Sequence, residues 1–483
     1  MDECGRQLRV YNWLRRSARR TASVLTLGWR TNEHYAFACT LGAVTSLLVV
    51  AYYVNHPSPE QYPDYPDAAE YLGRAHDIQM QGQIVDPRRL PGFPLLIVLV
   101  FKLTGQGNVM AVSITNALLF VVASLEIYVI AVLVLQRRWA ALLIGILVGT
   151  NVVLLSFVKP ILSEALALWL VVSLTLATVL FVRTLQVRYL WIAMACILLL
   201  CLTRGEWVAL PGLLYAYLIW VAARQGGEIR RPAVHALLAA TVLYAVLGSY
   251  IFVNATEYHF VGMTDTQNVN LWGKVLQYDM QNEAPAKYAA ITRIANTYRH
   301  DRGPTPYEML KRDPVLSSNH FAFAADYARA IIVRHPVEFL VKSVPTALGS
   351  LVNFYYQSRV APQGPLGGPL LAIQFFHRQL FRLNVLFPVI AGAWLLLLFR
   401  RRTACLRPVQ MMGAIVLIAV YGLVLTTLGG FDAYMRYHTP FNPLLILIIW
   451  ATVVAGLRYF AMPHAVHSIA HALSAIPYRR ASR

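Results

Sequence analysis

Two aspartates and a scatter of arginines stand out in an otherwise apolar chain of 483 residues. The stretch DYPDAAEYLGRA carries Asp64 and Asp67, DPRRLPGFP carries Arg88 and Arg89, and Arg204 and Arg436 lie in LTRGE and YMRYHT. A carboxylate can take the proton of a hydroxyl nucleophile or orient it. Guanidinium groups bind phosphate oxygens through paired N–H donors and keep their charge at any working pH. Together these types suit a reaction in which a phosphate is held while a hydroxyl loses its proton. Each residue also has a plainer explanation. Arg204 could pair with Glu206, and Arg436 with Asp432, or each could snorkel to a membrane surface. Asp67 follows Pro66 and has Glu70 three residues later, the pattern of a helix N-cap. Capping leaves Asp64 unexplained, and local pairing accounts poorly for the arginines as a set.

The elements that must position these residues belong to a membrane. With 57% apolar and 13% charged residues and a mean hydropathy of +0.51, the composition is far from that of a soluble domain. It predicts an all-α polytopic membrane protein. Residues 1–34 hold seven arginines against three acidic residues and lack the apolar core of a cleaved signal, so the N-terminus is expected to stay cytoplasmic. The net charge of +19 comes from arginines at the ends of apolar runs rather than along one face, which argues against nucleic acid as a partner. The five cysteines fall in expected spans or cytoplasmic ends and are expected to be free thiols.

Apolar runs near spanning length occur at 36–54, 109–135, 139–157, 165–182, 189–203, 207–223, 233–253, 383–399, 409–428 and 440–460. The positive-inside rule puts the clusters at Arg137/Arg138, Arg183/Arg188, Arg224/Arg230/Arg231 and Arg400 to Arg402 in the cytoplasm. That parity holds only if residues 91–105, PGFPLLIVLVFKLTG, lie along the outer interface as a short juxtamembrane helix. Residues 335–356 and 369–381 must then cross together or not at all, giving about 10 to 12 transmembrane helices.

The expected organisation is a basic cytoplasmic N-terminus (1–34), a transmembrane module (35–253) with a first external loop (55–108), an external helical subdomain (254–335), a second transmembrane module (336–460) and a basic cytoplasmic tail (461–483). Residues 254–335 carry nine Lys/Arg and eight Asp/Glu among short periodic segments, which reads as folded helices rather than a linker. From Asp67 on, Ala68, Tyr71, Leu72, Ala75 and Ile78 recur at helical spacing, with Glu70, Arg74, Asp77 and Gln81 opposite. That predicts an interfacial helix. The external side thus receives Asp64, Asp67, Arg88, Arg89, Arg204 and Arg436.

In order along the chain, Asp67, Tyr71 and Ala75 (D-x-x-x-Y-x-x-x-A), RLPGFPLLIVLVFKLTG, a span ending in an arginine pair, SEALALWL, LTRGEWVALPGLL and MRYHTPFNPLLILII resemble the superfamily C glycosyltransferases. The likeness is to the branch of protein mannosyltransferases and aminoarabinose transferases, and it runs over nearly the whole chain. It implies a multi-pass enzyme that takes a sugar from a polyprenyl-phosphate donor at the extracytoplasmic face of a plasma or inner membrane. Asp67 then matches a first-loop carboxylate that acts as base or orients the acceptor, with Asp64 beside it and Glu164 as a second acidic residue facing the site. Arg89, with Arg88, stands where a basic residue meets the lipid phosphate, Arg204 and Arg436 join it, and Tyr71, Tyr437 and His438 line the substrate pocket. The chain departs from the pattern in having R-L-P-G-F-P where several members have a basic residue followed by two prolines.

Further expectations follow. Partners are the lipid-linked donor, membrane lipid, and a glycan, lipid or protein acceptor. No cofactor is expected: Asp64 and Asp67 alone supply too few ligands for a dedicated metal site, although a divalent metal is left open. His464, His467 and His471 in HAVHSIAH fit a basic surface helix better than a metal site. A transporter would place ionisable residues mid-span, and here Glu126 stands nearly alone. A lipid-linked oligosaccharide ligase is the closer rival, and the acidic first loop favours the monosaccharide transferase.

Overall fold

The computed structural model describes residues 32–56, 67–225, 229–298, 305–352, 364–400, 402–431 and 434–457. Asp64, the basic N-terminal segment and the histidines of the tail lie outside these residues. All regular elements among the described residues are helical.

The chain opens with α1 (Asn32–Asn55), followed by two short helices, α2 (Asp67–Gln81) and α3 (Gly92–Thr104). Next come α4 (Val109–Leu135), the bent pair α5 (Arg138–Gly149) and α6 (Val152–Val158), α7 (Glu164–Thr184), α8 (Arg188–Thr203), α9 (Leu210–Arg224) and α10 (Arg230–Glu257). The 50° bend between α5 and α6 falls at Asn151, whose Oδ1 accepts from the amides of Val153 and Leu154 and so starts a new helix. Local chemistry ends other helices. Asn108 caps α4, and Gln136 and Leu185 close α4 and α7 in the left-handed conformation.

A second group of helices has its own core. α11 (Thr266–Gln277), α12 (Ala289–Ala295), α13 (Pro306–Arg312), α14 (Pro314–Ser317) and α15 (Ala322–Arg334) enclose Trp272, Leu276, Leu310, Tyr327, Ala328 and Ile331. Thr305 and Glu308 form a reciprocal capping box at the start of α13. The chain then runs through α16 (Pro336–Val352), α17 (Gly367–Phe381), α18 (Phe387–Phe399), α19 (Arg407–Gly429), α20 (Tyr434–His438) and α21 (Asn442–Leu457).

Seven helical lengths among the described residues are long and apolar enough to cross a membrane, or eight if the bent pair counts as one. The expected ten to twelve include α8 and α21, which are apolar but shorter than these lengths; α3, also short, is expected along the outer interface rather than across. The run at 369–381 does not stand alone: α17 continues through a 3-10 turn into α18 as a single 33-residue length. α7 and α19 form the centre of the bundle, with 78% and 72% of their apolar windows buried, against 28% for α1 and α10.

α2 carries its expected face inward, with Ala68, Tyr71, Ala75 and Ile78 buried. Arg74 does not follow the expectation. It is only 4% exposed, because its guanidinium folds under the next loop and donates to the carbonyls of Gln83 (2.6 Å) and Val85 (3.0 Å). A polar side chain with waiting acceptors can occupy a buried position without an orphaned charge.

Candidate functional site

Five segments bring charged side chains to one place. Asp67 and Glu70 lie in the first turn of α2, and Glu164 opens α7, where a helix N-terminus favours negative charge. Arg88 and Arg89 ride on the loop between α2 and α3, Arg204 and Glu206 follow α8, and Arg436 belongs to α20.

These residues alternate in sign along one chain of contacts. Arg204 Nε donates to Glu206 (2.6 Å), and its Nη1 faces Glu164 at 3.5 Å. Glu164 Oε1 accepts from Arg436 Nε (2.7 Å), and Arg436 Nη1 donates to Asp67 Oδ2 (2.7 Å). Asp67 Oδ1 is bound by Arg89, whose Nε donates to Glu70 (2.7 Å). Glu70 in turn accepts from Arg88 (3.1 Å), and Arg88 donates to the Tyr307 hydroxyl (2.7 Å) at the start of α13. Four guanidinium groups thus face four carboxylates, and no three His, Cys, Asp or Glu side chains among the described residues group as metal ligands.

Aromatic rings wall the cluster. Arg89 lies over the Tyr71 ring (5.1 Å) and Arg204 over the Tyr437 ring (5.1 Å), contacts in which a cation meets the negative face of an aromatic system. Tyr71 donates to Ser163 Oγ (3.1 Å), just before Glu164, and Tyr437 accepts from Asn270 of α11 (3.5 Å).

The loop that carries Arg88 and Arg89 is held from several sides. Asp86 Oδ1 accepts from the amides of Arg88 (2.6 Å) and Arg89 (3.0 Å) in a local turn. Tyr250 of α10 donates to the Asp86 carbonyl (2.7 Å), the Asp265 amide to Pro87 (2.7 Å), and Thr264 to Arg88 (3.2 Å). With Arg74 beneath, the loop is positioned before any ligand arrives.

Burial alone would raise the pKa of Asp67, but the charges and hydrogen bonds of Arg436 and Arg89 outweigh it and hold the carboxyl at about 2. Burial also opposes the charged forms of Arg89, Arg204 and Arg436. Tyr71, Asp67 and Glu70 beside Arg89, Glu206 and Glu164 beside Arg204, and Glu164 and Asp67 beside Arg436 more than offset it, and all three are shifted further toward the cation. Glu164 has no exposed surface, and its Oε2 has no hydrogen-bond partner.

Of the residues singled out from sequence, Asp67, Glu164, Arg88, Arg89, Arg204 and Arg436 come together, with Tyr71 and Tyr437 on their flanks. The local pair of Arg204 with Glu206 also forms, so that arginine serves both accounts. His438 does not join the cluster. It is fully buried beside Phe441 (4.9 Å between ring centroids), neither ring nitrogen has a partner, and burial lowers its pKa to about 3. Glu70 belongs to the site although its spacing suggested only a cap. Tyr307 and Asn270 carried no signal, since they reach the site from a separate helical unit.

The sequence matches no protein-family model and no curated protein. Among solved structures it is similar to the oligosaccharyltransferase AglB of Archaeoglobus fulgidus. One AglB structure is a complex with an inhibitory peptide and a dolichol-phosphate (14% identity, 93% of this chain and 55% of that chain, TM-score 0.47). Another is the apo form (14% identity, 91% and 52%, TM-score 0.48). The chain spans about half the length of these proteins.

Proposed function

We propose that the protein is an integral membrane glycosyltransferase that moves a sugar from a polyprenyl-phosphate donor to an acceptor hydroxyl. The observation that carries this reading is the pair of arginines, Arg89 and Arg436, meeting on one carboxylate, Asp67, beside a bundle of apolar helices. Guanidinium forks suit the phosphate of a lipid whose chain stays in the bilayer. Asp67 is the one carboxylate between them that can receive a proton.

In the step proposed, the acceptor oxygen forms a bond to the anomeric carbon of the sugar as the bond from that carbon to the phosphate oxygen breaks. The bonding pair leaves with the phosphate, whose growing charge Arg89 and Arg436 stabilise. The hydroxyl proton passes to Asp67, and Glu164 holds Arg436 in place throughout. Arg204, paired with Glu206 and Glu164, and Arg88, reaching Tyr307, extend the cationic wall toward the sugar and the acceptor.

The test is donor binding. Mass spectrometry of lipids co-purified with the protein should find a polyprenyl-phosphate sugar. Arg89→Ala and Arg436→Ala should each weaken binding of a polyprenyl phosphate by about 10-fold or more, as expected for a charged hydrogen-bonding partner. Lysine at either position should restore it only in part. Unchanged affinity in both alanine variants would overturn the reading.

A further inference from the structure

Asp67 is doubly held. Its Oδ2 accepts from Arg436 and its Oδ1 from Arg89, so both oxygens of the carboxylate bridge two guanidinium groups. Each arginine has a second anchor on its Nε edge, Glu164 for Arg436 (2.7 Å) and Glu70 for Arg89 (2.7 Å). Removing Asp67 from between them would therefore not release either arginine. What remains is a slot flanked by two fixed guanidinium groups, shaped for two oxygens on one central atom. A phosphate presents the same pair of oxygens with similar spacing and charge.

We propose that Asp67 occupies the donor's phosphate slot in the empty protein, as an internal stand-in that the phosphate displaces. This rests on the donor reading above and adds an order of events. With both oxygens bound by arginines, Asp67 is a poor proton acceptor, consistent with its lowered pKa. When phosphate oxygens take over the N–H donors of Arg89 and Arg436, the carboxylate loses its two cationic partners and faces a new anion. Both changes make it more basic. The acceptor hydroxyl thus meets a competent base only after the donor has bound.

The inference makes a prediction of unusual sign. Asp67→Asn, which would abolish transfer, should bind a sugar-free polyprenyl monophosphate in detergent micelles about 10-fold or more tightly than the native protein, because a competing anion is gone. Asp67→Ser, a shorter helix-capping side chain, gives the same test should the Asn variant fold poorly. Glu70→Gln removes one negative charge from the same cluster but leaves Asp67 in the slot and keeps only an uncharged acceptor for Arg89, and should bind the probe no more tightly than the native protein. Equal tightening in Asp67→Asn and Glu70→Gln would mean that net charge alone is at work, and would overturn the stand-in. So would unchanged or weaker binding by both Asp67 variants while Arg89→Ala and Arg436→Ala lose affinity. In that case the donor reading survives. If the two arginine variants bind normally, the donor reading itself falls.

Discussion

Glu164 gives a sharp quantitative test of the cluster. Its side chain has no exposed surface, and its Oε1 lies 2.7 Å from Arg436 Nε and 3.5 Å from Arg204 Nη1. Removing one partner of a buried charge pair costs about 3–5 kcal/mol, because the other charge is left without compensation. Here Arg436 keeps Asp67 and Arg204 keeps Glu206, which places Glu164→Ala near the lower end, about 3 kcal/mol. Glu164→Gln keeps an acceptor without its charge and should cost about 2 kcal/mol. Glu206 is 30% exposed, so water can replace it, and Glu206→Ala should cost about 1 kcal/mol or less. The assay is denaturant unfolding of the purified protein in one detergent, comparing midpoints at constant slope. If Glu164→Ala and Glu206→Ala lose the same stability, Glu164 does not carry the charges of Arg204 and Arg436, and the account of the cluster fails.

Two other predictions concern acid and packing. Because the folded pKa of Asp67 lies below the ordinary carboxylate value, its contribution of about 2 kcal/mol is complete above pH 4 and fades as pH falls toward about 2. The stability gap between native protein and Asp67→Asn, followed by unfolding at a series of pH values, should close in that window. A gap that closes above pH 5 would contradict the ion pairs. A β-carbon at Gly92 would meet the Leu202 backbone at 2.9 Å and the side chain of Thr203, just before Arg204, so Gly92→Ala should destabilise by about 1–3 kcal/mol. Gly248 has nothing within 4 Å of such a carbon, and Gly248→Ala in helix α10 should be neutral or slightly stabilising; equal thermal midpoints for the two variants would refute the packing argument.

Much of this organisation is legible in the sequence because hydrophobic patterning and charge report directly on burial. The apolar runs at 109–135 and 165–182 became α4 and α7 almost residue for residue, and the inward face of α2 followed from helical periodicity. The arginines of the site were visible as cations that the expected topology puts at the outer ends of apolar runs. Their partners were not. Spacing does not show that Arg436 reaches Asp67 (Asp432, its candidate partner nearer in sequence, lies outside the described residues). Arg74 misled because a period of 3.6 sees only which face a residue lies on, whereas the carbonyls of Gln83 and Val85 that receive it depend on how the next loop folds. The bend at Asn151 and the union of α17 with α18 were hidden for a related reason: run length does not record where a helix changes direction.

The bond between Arg436 and Asp67 joins positions 369 residues apart. At 5–20 residues per second, a ribosome needs roughly 20–70 s to cover that interval. Through that time Asp67 has Arg89 and Glu164 has Arg204, but the arginine that joins the two pairs is not yet made. Synthesis of α20 closes the charge circuit, and a product that stops short of it keeps two separate ion pairs in place of one joined chain. The contact that joins the first turn of α2 to α20 is therefore among the last of the site to form as the chain is made.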